Sequence, residues 1–201
     1  MRVFLDDAEM TVPEATLKAA LAVGAVASEE QGRIVVEVWA DGEPAPDEDI
    51  AAPPARAPYA REVRLVTAEP RSLVRTVLLD VAEAIESTRE SQRRASELVQ
   101  LGETGNGLNE LGGVLRAWDT VRRAVEEGCA LLDMPTDRSE KSVLDQRLVG
   151  DLGATLTAVK KALGNEDWAL LADLLAYDLD EHAQRWEAEL RRLADHVAAT
   201  A

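Results

Sequence analysis

Apolar residues recur at steps of three and four positions through the second half of the chain, from about Pro70 to Val197. This spacing puts the apolar side chains of each segment on one face of an α-helix. The second of four such segments carries Leu108, Leu111, Leu115, Trp118, Val125, Cys129 and Leu132. The fourth carries Trp168, Leu171, Leu175, Leu179, His182, Trp186, Leu190, Leu193 and Val197. Four such helices with short turns predict an antiparallel up-down four-helix bundle. An open array of stacked helical hairpins is the alternative architecture.

Glycine, proline and capping residues indicate where these helices begin and end. The first three helices are expected over 70–101, 107–132 and 138–163. Gly164 and Asn165 then predict a tight corner, with the glycine in the left-handed conformation and Asn165 as the N-cap of the fourth helix. A polar stretch at 86–94 interrupts the apolar stripe of the first helix. The stretch could be a solvated overhang, a kink or a polar layer in the core, and we interpret it as a thinly covered segment of the helix.

The first 69 residues carry a different pattern, with strands expected at 2–5, 33–40 and 61–67. Between the first two strands, Pro13 is expected to open a helix that runs to about Ala27. Residues 43–60 hold five prolines and a run of acids, which predicts a long loop. The predicted fold is therefore mainly α with a small α+β part. Residues 1–69 form a three-stranded sheet with one helix, and residues 70–201 form the bundle.

The net charge of −16 narrows the choice of partners. Nucleic acids and anionic membranes would repel such a chain, whereas a basic protein partner is favoured. No apolar run is long enough to cross a membrane, and the N-terminus lacks the apolar core of a signal peptide. A cytoplasmic location is therefore expected, and the excess of arginine over lysine favours a bacterial, GC-rich genome.

The residues that carry most enzyme chemistry are scarce. Cys129 is the only cysteine, so it forms no intramolecular disulfide or cysteine-based zinc cage, and its place on the apolar stripe predicts burial. A di-iron bundle needs Glu three residues before a histidine, but Leu179 precedes His182 and Leu193 precedes His196 at that spacing. No phosphate-binding loop or nucleophile elbow occurs. We therefore expect no catalytic residue, cofactor or metal.

The fourth predicted helix offers the best candidate surface for a protein partner. Trp168 and Trp186 lie eighteen residues apart, which is five helical turns, so an uninterrupted helix places them on one face. His182 lies between Leu179 and Trp186, and we expect a histidine at the edge of the core whose partner is Asp178, one turn earlier, or a backbone group; a pH-sensitive or ligand-binding site is the alternative. The acids at 178, 180 and 181 diverge around the helix and indicate a solvent-facing side. The candidate partner surface comprises Trp168, Tyr177, Asp178, His182 and Trp186.

Three functions follow as hypotheses. The first is a non-catalytic interaction module, adaptor or chaperone-like, that binds a protein partner through the helical surface. The second is a small-ligand binder or enzyme with a site between the two domains near Trp39 and Tyr59, because ligand sites favour such interfaces. The third is a structural bundle that assembles with copies of itself into a homo-oligomer.

Overall fold

A computed structural model of the chain describes residues 1–136 and 142–199. The chain divides into two compact units, Met1–Leu73 and Val74–Ala201. Helices account for 66% of the structure, and the N-terminal part carries a small mixed sheet. The mainly helical class with a small α+β part is thereby confirmed. The sheet has five strands, however, where the sequence predicted three.

The N-terminal unit is a sheet with one long helix. Its elements are β1 (Arg2–Leu5), β2 (Ala8–Met10), α1 (Leu17–Glu29), β3 (Ile34–Ala40), β4 (Glu43–Pro44), α2 (Asp47–Ala51) and β5 (Glu62–Ala68). The strand order is β2-β1-β5-β3-β4, in which β1 and β5 are parallel and the other neighbours antiparallel. The two unpredicted strands, β2 and β4, span three and two residues, too few for alternation to be visible in the sequence.

Helix α1 packs closely on this sheet. It begins after Thr16, whose hydroxyl accepts a hydrogen bond from the Ala19 amide, and not at Pro13 as predicted. The side chains of Leu17 and Ala20 are fully buried in the core of the unit. One turn further, a Cβ at Gly24 would overlap with Cδ1 of the buried Leu65. Glycine therefore permits the close approach of helix and sheet.

The expected loop at 43–60 contains regular structure at its start. Strand β4 and helix α2 lie within it, so the prediction of a continuous loop is wrong over 43–51. Three acids in the first turn of α2 favour a helix N-terminus electrostatically, which explains how so short a helix forms after Pro46. Tyr59 then anchors the end of the segment, since its hydroxyl donates to Asp49 Oδ2 at 2.8 Å.

The rest of the described chain is helical. Its elements are α3 (Pro70–Gln100), α4 (Thr104–Leu131), α5 (Gln146–Gly164), α6 (Trp168–Asp173), a π-helical turn (Leu174–Asp178) and α7 (Leu179–Ala199). All five helices contribute to one apolar core, which includes Leu78, Val114, Val159, Leu171 and Leu190. Cys129 is buried in the same core. None of the described helices combines the length and the hydropathy that crossing a bilayer requires.

Helix α5 begins later than the apolar spacing predicts. Positions 138–141 of the predicted helix lie outside the described residues, and 142–145 are not helical. Asp145 is the N-cap, because its side chain accepts a hydrogen bond from the Arg147 amide at 2.9 Å. Val143 and Leu144 pack against the core from an irregular segment. Their spacing alone could not distinguish that segment from a helical turn.

The corner between α5 and α6 was predicted two residues too early. Gly164 is the last residue of α5, and Asn165 keeps right-handed torsions. The left-handed residue is Glu166, with φ of 54°. Asp167 caps α6 by accepting a hydrogen bond from the Leu170 amide. The helical turn continues past the glycine, because the Asn165 amide still bonds to the Lys161 carbonyl.

A π-helical turn interrupts the fourth predicted helix, and a polar stripe of α3 packs near its start. The Ser96 hydroxyl donates to the carbonyl of Ala172 at 2.8 Å. Thr88, Gln92 and Ser96 are all buried, so the prediction of a thinly covered segment here is wrong. The side-chain amide of Gln92 is fully buried and has no hydrogen-bond partner among the described residues. A polar layer therefore lies inside the helical core.

Candidate binding cleft

Two tryptophans meet in the core of the helical unit. Trp118 of α4 and Trp186 of α7 pack edge to face, with ring centroids 6.5 Å apart and ring planes at 73°. Their side chains are only 4% and 5% exposed. Neither indole Nε1 has a hydrogen-bond partner among the described residues, although buried indole N–H groups usually find one. The two tryptophans therefore form a buried aromatic pair whose indole N–H groups make no hydrogen bond to the described residues. We call this pair the aromatic floor.

A cleft of about 430 Å³ lies over this floor. Its walls come from α4, α5 and α7, and from the segment that joins α4 to α5. The lining residues are mostly apolar: Leu115, Trp118, Asp119, Val121, Arg122, Val125, Glu126, Thr136, Leu144, Val149, Leu152, Gly153, Leu156 and Trp186. Binding sites for apolar groups have this character, with a few polar side chains among many apolar ones.

The mouth of the cleft exposes apolar side chains to solvent. Leu115 on α4 and Val149 on α5 are each 40% exposed. Leu108 is 37% exposed and precedes Leu115 by seven residues, or about two helical turns, so both lie on one side of α4. An apolar stripe therefore leads out of the cleft along α4.

Charged side chains of α4 form part of the rim. Arg122 donates to Asp119 Oδ1 at 2.8 Å and to Glu126 Oε2 on the next turn. The hydrogen bond to Asp119, with the charge of Glu126, raises the pKa of Arg122. These three residues place polar atoms around an apolar interior, which is the usual layout of a protein interface.

His182 is a buried side chain of α7, one turn before Trp186. Its Nε2 lies 2.9 Å from the hydroxyl of Thr155 on α5, while its Nδ1 has no partner among the described residues. Burial, followed by the positive charge of Arg185, lowers the pKa of His182 below its usual value. The expected partner, Asp178, is exposed and makes no hydrogen bond to the ring in the described structure. The histidine thus connects α5 to α7 through Thr155.

The five residues of the predicted partner surface do not share one exposed face. Tyr177 is 70% exposed and Asp178 is exposed, whereas His182 and Trp186 are buried. Trp168 is half-buried against the core. The expectation that Trp168 and Trp186 lie in line assumed an uninterrupted helix. The π-helical turn between them adds one residue, which rotates the following helix by about 100°.

The two aromatic residues of the predicted interdomain site, Trp39 and Tyr59, each contact residues of their own N-terminal unit. Tyr59 is buried; its hydroxyl donates to Asp49, and the Arg56 guanidinium lies 4.4 Å from its ring centroid. Burial and the Asp49 carboxylate raise the pKa of Tyr59. Trp39 is half-buried, and its indole donates to Glu37 at 2.8 Å. A ligand site between the units stays a prediction.

The acidic residues of α7 do not assemble into a metal site. Asp180 instead accepts hydrogen bonds from Arg89 of α3, at 2.8 and 3.1 Å. Within residues 1–136 and 142–199, no group of three or more His, Cys, Asp or Glu side chains converges on a position for a metal ion.

The sequence placed Leu115, Trp118, Val125 and Trp186 on apolar stripes, but it did not identify the cleft that they line. Trp118 was assigned only to core packing. One feature of the sequence could have indicated that Trp118 packs against Trp186. Both are large aromatic residues at predicted core positions of a chain that is poor in aromatic residues. No protein-family model, no curated protein and no solved structure matches this chain, so the geometry of the cleft carries the functional argument.

Proposed function

We propose that the protein is a non-catalytic interaction module, adaptor or chaperone-like, whose helical unit binds an amphipathic helix of a partner protein. The observation that carries the proposal is the cleft over Trp118 and Trp186, with Leu115 and Val149 exposed at its mouth. Aromatic side chains at the bottom of a pocket are typical anchors of protein interfaces. Apolar side chains of the partner would enter the cleft and cover the tryptophan pair.

The apolar stripe outside the cleft favours a long partner segment. Leu108 and Leu115 extend the apolar surface over two turns of α4, beyond what a small molecule within the cleft would cover. An amphipathic helix with residues at i, i+3, i+4 and i+7 matches such a groove. Contact along the stripe would also remove these exposed leucines from water.

The charge of the protein favours a basic partner. The net charge of −16 attracts cations and repels nucleic acid, and Asp119 and Glu126 place carboxylates at the rim. Basic residues flanking the apolar face of the partner helix would lie near these carboxylates. We place the interaction in the cytoplasm as part of the same proposal.

The helical unit is proposed to be an antiparallel up-down bundle. The connections between α3 and α4 and between α5 and α6 span three residues each, and short connections favour antiparallel neighbours. Arg94, near the end of α3, lies 3.4 Å from Glu110, near the start of α4. Arg185 of α7 and Asp151 of α5 are 3.2 Å apart. Spin-label distances between the helix ends would test the arrangement.

Photo-crosslinking from the cleft tests the proposed function. A photoreactive amino acid replaces Leu115 in one protein and Leu131 in a control, a leucine of similar exposure on the same helix that does not line the cleft. The proposal predicts that Leu115 crosslinks an amphipathic helix of one partner, that Leu131 does not, and that Val149→Glu abolishes the product. Identical products from both positions, or none from Leu115, would contradict it. Crosslinking of the chain to itself would support the self-assembling bundle instead.

A small apolar ligand is the second candidate for the same cleft. The cavity volume falls within the range of about 300–1,000 Å³ that is common for small-ligand sites, and its floor is closed by the tryptophan pair. Native mass spectrometry of the purified protein distinguishes the two functions. A bound molecule of defined mass that is lost in Val149→Glu would favour the ligand over the partner helix.

A further inference from the structure

One edge of the N-terminal sheet is largely open. Strand β3 pairs with β5 from Ile34 to Ala40, with a β-bulge between Val35 and Glu37 that leaves Val36 without a partner residue in β5. Strand β4 pairs with β3 only at Trp39 and Ala40. A single further backbone bond, from the Ala45 amide to the Val38 carbonyl, continues on that side. No described strand lies against the outer side of β3 from Ile34 to Glu37. This edge therefore presents backbone groups to which another strand can bind.

A trough follows this open edge. Its volume is about 560 Å³, and β3 residues from Val35 to Trp39 line it together with Leu21 and Ala25 of α1 and with Pro44, Ala45, Asp47 and Ile50. Val36 and Ile50 line it with exposures of 38% and 36%. An exposed strand edge thus lies beside apolar side chains that alternate residues of an added strand would cover.

We propose that an extended segment of a partner protein adds as a strand to the outer edge of β3, with apolar residues at alternate positions and basic residues between them. The backbone of the segment would hydrogen bond to the free edge at Ile34–Glu37. Its apolar side chains would contact Leu21, Val36 and Ile50. In this recognition mode, backbone bonds supply affinity and side-chain contacts supply specificity.

The negative charge along the trough favours a basic partner segment over other occupants. Glu37 and Asp47 line the trough and are both exposed, and the Trp39 indole holds the Glu37 carboxylate by a hydrogen bond of 2.8 Å. Two carboxylates beside an apolar trough favour lysine or arginine at the intervening positions of the added strand. A second copy of this chain would bring a net charge of −16 against the same surface. The proposal rests on the N-terminal unit alone and is independent of the cleft over the tryptophans.

Synthetic hexapeptides titrated into the full-length protein test this inference. The first alternates lysine and valine, the second alternates glutamate and valine, and the third is the first with alternate backbone amides methylated. Backbone amide NMR signals report the site, and fluorescence anisotropy of labelled peptides reports affinity. The substitution Val36→Lys replaces an apolar side chain that lines the trough with a positively charged one. Val26→Lys is the matched control, because Val26 is an exposed valine of the same unit outside the trough.

The lysine–valine peptide is expected to bind and to slow exchange of those backbone amides between Ile34 and Val38 that point away from β5. Methylation of its backbone and Val36→Lys should each weaken it by about tenfold or more, whereas Val26→Lys should not. Equal binding of the methylated or the glutamate peptide would overturn the proposal. So would the absence of binding at peptide concentrations up to about 1 mM. Protection of the same amides by concentration-dependent self-association would assign the edge to a second copy instead.

Discussion

Arg89 of α3 binds Asp180 of α7 through two hydrogen bonds, from Nε to Oδ1 at 2.8 Å and from a terminal nitrogen to Oδ2 at 3.1 Å. Both side chains are about one-fifth exposed, so water only partly screens the pair. The Arg89 hydrogen bonds hold the pKa of Asp180 below its usual value. The pair connects two helices that are 91 residues apart in sequence.

Replacing Asp180 should cost stability in a pH-dependent way. Asp180→Asn is expected to lower the free energy of unfolding by about 1 kcal/mol at neutral pH, because a charge-assisted, two-point contact is lost. Since the folded-state pKa is lowered, this stabilisation is present above the ordinary value of 3.8 and disappears as the pH falls through the folded pKa. Urea titrations at several pH values measure both effects. Asp178→Asn, at an exposed neighbour, should change little, and an equal loss in the two variants would contradict the account.

His182 should make the protein less stable in mild acid. Its folded-state pKa is lowered by burial, so the unfolded chain takes up a proton near pH 6.5 before the folded chain does. The free energy of unfolding is therefore expected to fall as the pH drops from neutral below 6.5, until the folded-state pKa is reached. His182→Gln should remove this decrease in the free energy of unfolding. Substitution of the exposed His196 should leave the decrease unchanged. Denaturation curves that fall equally in wild type and His182→Gln would contradict burial of a neutral ring.

Gly24 should tolerate no side chain. Gly24→Ala places a methyl group against the fully buried Leu65, so either the Leu65 side chain or the helix must shift, and a loss of about 1–3 kcal/mol is expected. Gly150→Ala is the control. It lies in the first turns of α5 with no atom within 4 Å of the added Cβ, and it should gain about 0.5–1 kcal/mol through helix propensity. Thermal unfolding of both variants measures the contrast, and a stabilising Gly24→Ala would refute the close approach.

The polar layer of α3 should respond to substitution in two directions. Gln92→Leu removes a buried amide that has no partner among the described residues, and it should raise the free energy of unfolding by about 1 kcal/mol. Ser96→Ala removes the donor to the Ala172 carbonyl beside the π-helical turn, and it should lower that free energy by a similar amount, about 1 kcal/mol. Chemical denaturation measures both effects, and a strongly destabilising Gln92→Leu would contradict an amide buried without a partner.

Sequence reasoning succeeded where single residues mark an end. The first helix was expected over 70–101 and spans Pro70–Gln100, because a proline starts it and Gly102 follows it. Sequence reasoning failed where the apolar spacing fits a helix but the backbone is irregular. Val143 and Leu144 fit a helical period, yet they precede the capping Asp145 and lie outside α5. The π-helical turn at Leu174–Asp178 has no residue signature of its own, so the shift in phase it imposes on Trp186 was not predictable.

The cleft could not be predicted from this sequence alone. Periodicity tells which face of a helix turns inward, and it placed Trp118 correctly on the buried side of α4, whereas Leu115 of the same stripe is exposed at the mouth of the cleft. It does not tell how completely the faces of three helices fill the space between them. That space depends on the distances between helices, on the late start of α5 and on Gly153, which contributes no side chain to the wall.

The central claim is that the cleft over Trp118 and Trp186 binds an apolar group, and a fluorescence titration with the neutral apolar dye Nile red tests it most directly. The account predicts saturable binding of one dye per chain, lost in Leu115→Glu and in Val149→Glu but kept in Leu131→Glu, whose leucine has similar exposure outside the cleft. Binding that is absent from the wild type, or equal in all four proteins, would contradict the claim.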